Sequence, residues 1–449
     1  MAKRAKQSVA KAAARSEMPG AAMLEKYFGL KEQGTDIRTE FIAGLTTFLT
    51  MVYIVFVNSA ILSKDGMDPG AVFVATCVTA AVSTMVMALY ANYPIALAPG
   101  MGINTFFAFT VVLTYKYTWQ QSLAAVFCSG VLFFLISVFR IRQYVIESIP
   151  QNLKLGVSAG VGLFLGIIAL EEAKVVVAQP ATLVTLGDLK NPVAALMLLG
   201  FVLIIALNYR RIIGGTLIGI LAVTIIGLPF GLAHYSGIVS LPPSIAPTLL
   251  QLDFSRVFEG TFLIVVFSIL FIDVFDNAGT LIGVTHRTGL MKNGKLTRIK
   301  EALISDSFAA MFGAAIGTST TTSYIERAAG ISAGGRTGLI AAFVSIFFLL
   351  SLLFAPLAGM IPAYATSAAL LYVACVMARG LSEIDWEDIT EYAPAVVTAI
   401  TMPLTYSIAT GIGLGFITYA LAKLISGKVA EASPAVIMLA VLFAIKFAV

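Results

Sequence analysis

The sequence predicts an all-α integral membrane protein of about 14 transmembrane segments, arranged as a 7+7 inverted repeat with two broken half-helices. Three observations carry this. Hydrophobic residues make up 59% of the chain and charged residues 12%, against roughly a quarter charged in soluble domains. Apolar runs of about 20 residues, enough to cross the hydrocarbon core, recur from Glu40 almost to Val449. Two segments in the series are interrupted by glycine, proline or polar residues at corresponding places. Lipid offers the backbone no hydrogen bonds, so each run is a helix or part of a closed barrel. The strict alternation of barrel strands is missing, which leaves helices.

The first 38 residues carry Lys3, Arg4, Lys6, Lys11, Arg15, Lys26, Lys31 and Arg38, with no apolar core or small-residue cleavage site. This is a basic cytoplasmic tail rather than a removable signal. Candidate spans follow near 39–62, 70–91, 102–117, 120–140, 154–171, 191–208 and 211–230. A second set lies near 259–284, 301–317, 325–334, 338–359, 363–379, 391–408 and 410–426. With the N-terminus inside, Arg140, Arg142, Lys154, Arg210, Arg211 and the cluster His286, Arg287, Lys292, Lys295, Arg298 and Lys300 all fall inside, as the positive-inside rule requires. The connections near 172–190 and 231–258, poor in Lys and Arg, fall outside.

Two spans are abnormal. ALAPGMGIN (96–104) holds a Pro and two Gly where a helix should begin, and GTSTTTSYIERAAGISAGG (317–335) is polar and Gly-rich between two clear spans. Irregular backbone at membrane depth survives only where it is buried in protein or lines a cavity. Such breaks in corresponding places of two halves point to a solute site. The halves do correspond: Ile149-Pro150 and Ile361-Pro362 each precede an apolar span, an acidic connection and two closely joined spans. Seven spans per half is odd, so the second half enters from the opposite face. Two further segments need a label. GLSEIDWEDITE (380–391) reads as an amphipathic interfacial helix or a solvated loop, and the apolar tail 434–449 is short for a crossing.

Cys77, Cys128 and Cys375 are scattered and only His234 and His286 are present, which argues against a disulfide framework, a metal site or a catalytic triad. No cofactor is expected. The net charge of +5 is explained by orientation in lipid without a nucleic acid.

An ionisable group at membrane depth is a functional candidate by default. Asp273 and Asp276 lie mid-span, three residues apart and on one helical face. Glu326 follows Tyr324-Ile325 at the second break. A buried carboxyl has its charged form disfavoured, so each is a candidate to accept N–H donors or carry a proton. Pairing of Glu326 with Arg327 or Arg336, or capping by Asp273, is the structural alternative. Asn104 opens the other half-helix and either offers its amide to a solute or caps the helix. Phe275, Phe106 and Tyr324 are placed to stack on a flat ring or to pack in the core. The run Thr318–Ser323 supplies an extended segment facing the site, or hydroxyls for broken-helix carbonyls. Asp306 is left without a role and Glu301 is assigned to the interface.

GLTTFLTMVYIVFVN (44–58), ALAPGMGINTFFAF (96–109), FDNAGTLIGV (275–284) and YIERAAGISAGGRTGL (324–339) resemble the azaguanine-like branch of the nucleobase:cation symporter-2 family, adenine/guanine/hypoxanthine permeases of the wider xanthine/uracil group. The likeness runs from about residue 25 to the C-terminus. The resemblance implies a core domain (39–143 and 259–360) and a gate domain (144–258 and 361–426), flanked by the basic tail 1–38 and the apolar tail 427–449. It implies a homodimer formed through the gate, elevator-like sliding of the core, and import of a purine nucleobase by proton symport across the cell (inner) membrane. By motif position, Glu326 matches the acid of the tenth segment that holds the purine, Asp276 the acid of the eighth, and Asn104 the third-segment asparagine. Where xanthine and uric acid carriers have a Gln-His pair, this chain has Thr46-Thr47, which argues against oxidised-purine specificity. Arg327 directly after the acid, if turned inward, would weaken a proton-carrier role for Glu326. An anion carrier of the same fold, for sulfate or a dicarboxylate, is the alternative. Half-helix N-termini suit anions, but the two acids would repel them. A paired-acid intramembrane enzyme and a channel are further readings, the first opposed by the lack of metal ligands.

Overall fold

Breaks, caps and lipid-length runs in the sequence become helices and short paired strands in a computed structural model of the chain. The structure describes residues 19–139, 149–288, 291–292, 295–296, 298–324 and 327–448, with backbone alone for 19–21, 275–288, 291–292, 295–296, 327–328 and 446.

In the first half, α1 (Pro19–Phe28) precedes a first span broken into α2 (Ile37–Met51) and α3 (Ile54–Leu62). Next come α4 (Pro69–Val86), β1 (Leu97–Pro99), α5 (Met101–Thr105, running into a π-helical stretch Phe106–Thr114), α6 (Trp119–Val138) and α7 (Gln151–Glu172). A hairpin of β2 (Val176–Gln179) and β3 (Leu183–Leu186) leads to α8 (Pro192–Tyr209) and α9 (Gly215–Gly227). The second half contains α10 (Gly260–Thr288), the short strands β4 (Met291–Lys292) and β5 (Lys295–Leu296), α11 (Ile299–Ile316), β6 (Thr321–Ser323) and α12 (Arg327–Ser332). It ends with α13 (Leu339–Ser351), α14 (Ala355–Met360), α15 (Ala363–Ala378), α16 (Ile389–Thr405), α17 (Ile408–Ile425) and α18 (Pro434–Ala448).

Among the described residues eight helices are long and apolar enough to cross a membrane, and four shorter apolar ones accompany them. Their starts are fixed locally. Asp36, Asp68, Asn191, Asp388 and Ser407 each accept a backbone N–H at a helix N-terminus, and Thr118 with Gln121 forms a capping box.

Packing separates the helices into two groups. In one, α13 lies on α2 and α4, while α6 lies on α10 and α11. In the other, α7 packs on α15 and α16, and α8 packs on α9 and α15. Exchanging the halves turns each contact into another: first span on eleventh becomes eighth on fourth, and second on eleventh becomes ninth on fourth. The molecule is therefore a 7+7 inverted repeat.

Two unsettled segments resolve. Residues 380–391 form no amphipathic helix: a 3-10 turn (Arg379–Glu383) is followed by irregular chain pinned by Asn152, whose side chain bonds both the N–H and the carbonyl of Asp385. Asp385 and Asp388 bond backbone N–H groups at turns and a cap instead of lining a helix face. The tail is a helix, α18, packed antiparallel on α17, with Phe443 stacked on Phe416 and seated against Gly413. Fifteen residues span ~22 Å, short of a full crossing.

Candidate functional site

The two breaks meet. β1 and β6 pair antiparallel, Leu97 opposite Ser323, Ala98 opposite Thr322 and Pro99 opposite Thr321. The ladder is extended by Gly100 N–H to the Thr320 carbonyl (2.9 Å) and Tyr324 N–H to the Ala96 carbonyl (3.1 Å). Thr84 Oγ1 serves both the N–H and the carbonyl of Leu97. Unpaired strand backbone would be costly at this depth, and here it is satisfied. Two glycines of the PGMG turn permit the approach. A Cβ at Gly100 would lie 2.8 Å from Thr322 Oγ1, and one at Gly102 would lie 2.5 Å from Val161 Cγ1 of α7.

The polar run 318–323 is extended, and four of its hydroxyls bond side chains rather than helix carbonyls. Thr318 Oγ1 accepts from Asn58 Nδ2 (2.8 Å), and Ser319 Oγ donates to Asn104 Oδ1. Thr320 Oγ1 donates to Asp273 Oδ2 (3.3 Å) and Ser323 Oγ to Asp306 Oδ1 (3.4 Å). Asp273 and Asp306 are both buried, so two carboxylates flank the strand.

A cavity of about 300 Å³ lies where this crossing faces the second helical group. One wall is Gly100–Ile103, Ile272 and Thr322–Tyr324. The other is Val157, Ser158, Val161, Asn208, Thr216 and the stretch 372–377 of α15. Its size is at the lower end of small-molecule sites, and its apolar lining with a few polar groups is typical of them.

The sequence-predicted residues distribute as follows. Tyr324 lines the cavity, and its hydroxyl donates to the Pro99 carbonyl at 2.8 Å, which fixes the ring over the crossing. Asn104 is fully buried and turned into the protein: its Nδ2 donates to Asn58 Oδ1 (2.6 Å) while its Oδ1 accepts from Ser319. Asp273 stands behind the wall beside Ile272. Phe106 is buried in the core. Asp276 lies one turn beyond Asp273 on α10, but the side chains of Asp276 and Phe275, and Glu326 altogether, lie outside the described residues. Arg336 donates to the carbonyls of Ile331 and Gly335. Thr46 and Thr47 bond the carbonyls of Ile42 and Ala43 in their own helix.

Sequence reasoning missed Asn58, Ser158, Asn208 and Thr216. Asn58, a lone amide in the run TMVYIVFVNSAIL, was detectable as a polar group at membrane depth. Asn208 and Thr216 sit near span ends, where polar residues are ordinary, and Ser158 is a lone hydroxyl within α7.

The model of a family described as the Permease family matches residues 38–414. The adenine permease AdeP of Escherichia coli (strain K12) is 46% identical over 432 residues, covering 96% of this chain and 97% of that protein. The guanine/hypoxanthine permease PbuO of Bacillus subtilis (strain 168) is 44% identical over 427 residues, covering 93% and 99%. The transmembrane domain of a cyanobacterium bicarbonate transporter, BicA, shares the fold. It is 15% identical with a TM-score of 0.65, over 83% of this chain and 96% of that one.

Proposed function

Because the chain belongs to the nucleobase:cation symporter-2 family, we propose that it imports purine nucleobases, adenine, hypoxanthine or guanine, by proton symport. That it is a multi-pass membrane permease and not an enzyme follows from its family and its apolar helices. The observation that carries the substrate reading is the cavity at the β1–β6 crossing. It is a small, largely apolar chamber with Tyr324 on one wall, and it is flanked in sequence by the two membrane acids Asp276 and Glu326. A flat heterocycle with N–H donors matches an aromatic wall and carboxylate acceptors. The relatives named for adenine and for guanine and hypoxanthine support a purine.

In this reading Glu326 and Asp276 accept ring N–H groups, and Phe275 and Tyr324 bound the plane of the base. Asn104 shapes the site through its bonds to Asn58 and Ser319, and one of Asp276, Glu326 and Asp273 carries the coupling proton. The group holding the crossing (39–143, 259–360) is the core; the group opposite (144–258, 361–426) is the gate, through which two copies pair. Core sliding against gate carries the cavity across the cell (inner) membrane, with the N-terminus cytoplasmic.

The test is uptake of labelled adenine, hypoxanthine and guanine into cells lacking their own carriers. Saturable uptake that collapses with a protonophore, and is lost in Glu326→Ala and Asp276→Ala, is expected. Competition by sulfate or fumarate but not by adenine would replace the purine with an anion.

A further inference from the structure

Core and gate are tied together by side chains on the face opposite the cavity mouth. Lys64 ends the first span in a 3-10 turn (Ser63–Asp65) and forms an ion pair with Glu172, the last residue of α7. Glu172 Oε2 also accepts from Ser367 Oγ of α15 at 2.9 Å. The Lys64 ammonium stands 5.4 Å from the ring centroid of Phe109. Beside this cluster, the Tyr406 hydroxyl donates to Glu171 (2.6 Å) and the Tyr406 carbonyl accepts from Thr110 Oγ1 (3.1 Å). Lys64, Phe109 and Thr110 belong to the core; Glu171, Glu172, Ser367 and Tyr406 belong to the gate.

The chain's alternation fixes the faces. Lys64, Glu172 and Tyr406 stand at the C-terminal ends of the first, fifth and thirteenth spans, and Ser367 near the N-terminal end of the twelfth. All are on one face. Asn208, Thr216 and Met377 of the cavity wall occupy the other ends of their spans and Ser158 lies in that half of its own, so the cavity sits toward the opposite side. The Lys64 and Glu172 side chains keep 33% and 11% exposure, so the pair is less screened than one in open water.

We propose that Lys64 and Glu172, backed by Ser367 and by the Thr110–Tyr406 bond, form a latch that holds the outer core–gate seam shut while the cavity faces inward. The proposal rests on the reading that this chain carries purines by alternating access. A charge pair shared between core and gate has to part when one slides past the other, so its strength sets how often the outward-facing state is reached. Apparent affinity equals intrinsic affinity scaled by the fraction of competent protein. Weakening the latch enlarges the outward-facing fraction and lowers the KM measured from outside.

Uptake kinetics of labelled adenine, hypoxanthine and guanine test this. In Glu172→Gln and in Lys64→Gln the external KM falls severalfold, and the exchanged pair Lys64→Glu with Glu172→Lys returns it towards wild type. An unchanged or raised KM overturns the latch. A second measurement is independent of those charges. Lys64→Cys with Glu172→Cys, bridged by a short reducible bis-methanethiosulfonate linker, loses uptake and regains it with reductant. Uptake continuing through the bridged protein, or a pair the linker fails to bridge, also overturns the latch. The wild-type chain with its three native cysteines is the control. Bridging yield involves no substrate, so wild-type cells that take up no purine count against the proposed solute and leave the bridging result to judge the latch.

Discussion

At the scale of single residues, a buried amide–hydroxyl network ties the two breaks together. Asn58 donates to Thr76 Oγ1 (2.7 Å) and to Thr318 Oγ1 (2.8 Å), and accepts from Asn104. One side chain thus joins the first span, the second span and both breaks. Removing it in Asn58→Ala leaves the Asn104 amide without its acceptor in a low-dielectric interior, a loss of about 1–3 kcal/mol. The expected outcome is a lower unfolding temperature of the detergent-solubilised protein together with at least tenfold slower uptake. Wild-type values of both would show that the network is dispensable. The sequence made the carboxylates conspicuous because charge at membrane depth is rare. It put Asn104 at the opening of a half-helix, whereas the helix starts at Met101 with Gly100 as its N-cap, and it could not show that the amide faces Asn58 and Ser319 rather than the cavity or a cap position. That depends on which way the helix Met101–Thr114 is rotated, and its change from α to π winding at Phe106 blurs the periodicity that would show it.

At the scale of elements, the break that the sequence showed as PGMG becomes a strand end and a helix start pressed against α7. The clash distance of 2.5 Å between a Cβ at Gly102 and Val161 Cγ1 predicts that Gly102→Ala pushes α5 off its neighbour and cuts uptake severalfold. Adding Val161→Ala opens the space and restores most of it. No recovery in the double variant would place the defect elsewhere. Span positions were legible because lipid imposes a length and backbone satisfaction imposes helix. The pairing of β1 with β6 was not, since three residues of strand carry no readable alternation. Of the two readings of 380–391, the amphipathic helix fails for a related reason: the acids match an amphipathic pattern, but Asp385 and Asp388 act as turn and cap acceptors. Among them, Asp388 caps α16 and bonds Lys428 (2.6 Å). The Lys428 ammonium, then the Thr390 hydroxyl and N–H, hold its carboxyl well below the usual carboxylate range. A depressed acid contributes stability that is present above its unfolded pKa, about 4, and is lost as pH falls through the folded value. Asp388→Asn therefore flattens the acid-side decline in unfolding temperature below about pH 4; an identical decline would remove the cap from that account.

At the scale of the whole molecule, the odd number of spans per half ties symmetry, site and direction together. Seven crossings return the second repeat upside down, so two half-helices of like sequence position meet head to head at mid-depth, and helix contacts repeat across the halves. The same parity predicts faces that can be tested. Arg211, in the turn between α8 and α9, and the first half of α7, with the cavity residue Ser158, lie toward one face; Lys190, just before α8, lies on the other. The proposed orientation, with its basic loops cytoplasmic, has the Arg211 face inside. In whole cells a membrane-impermeant maleimide should label Lys190→Cys, and should reach Arg211→Cys only in inside-out vesicles. Under the latch proposal, which has the cavity face inward, Ser158→Cys should follow Arg211→Cys, with labelling slowed by a purine. Labelling of Arg211→Cys in intact cells would reverse the molecule in the membrane. External labelling of Ser158→Cys alone would leave the orientation standing and open the cavity to the side that the Lys64–Glu172 pair is proposed to close.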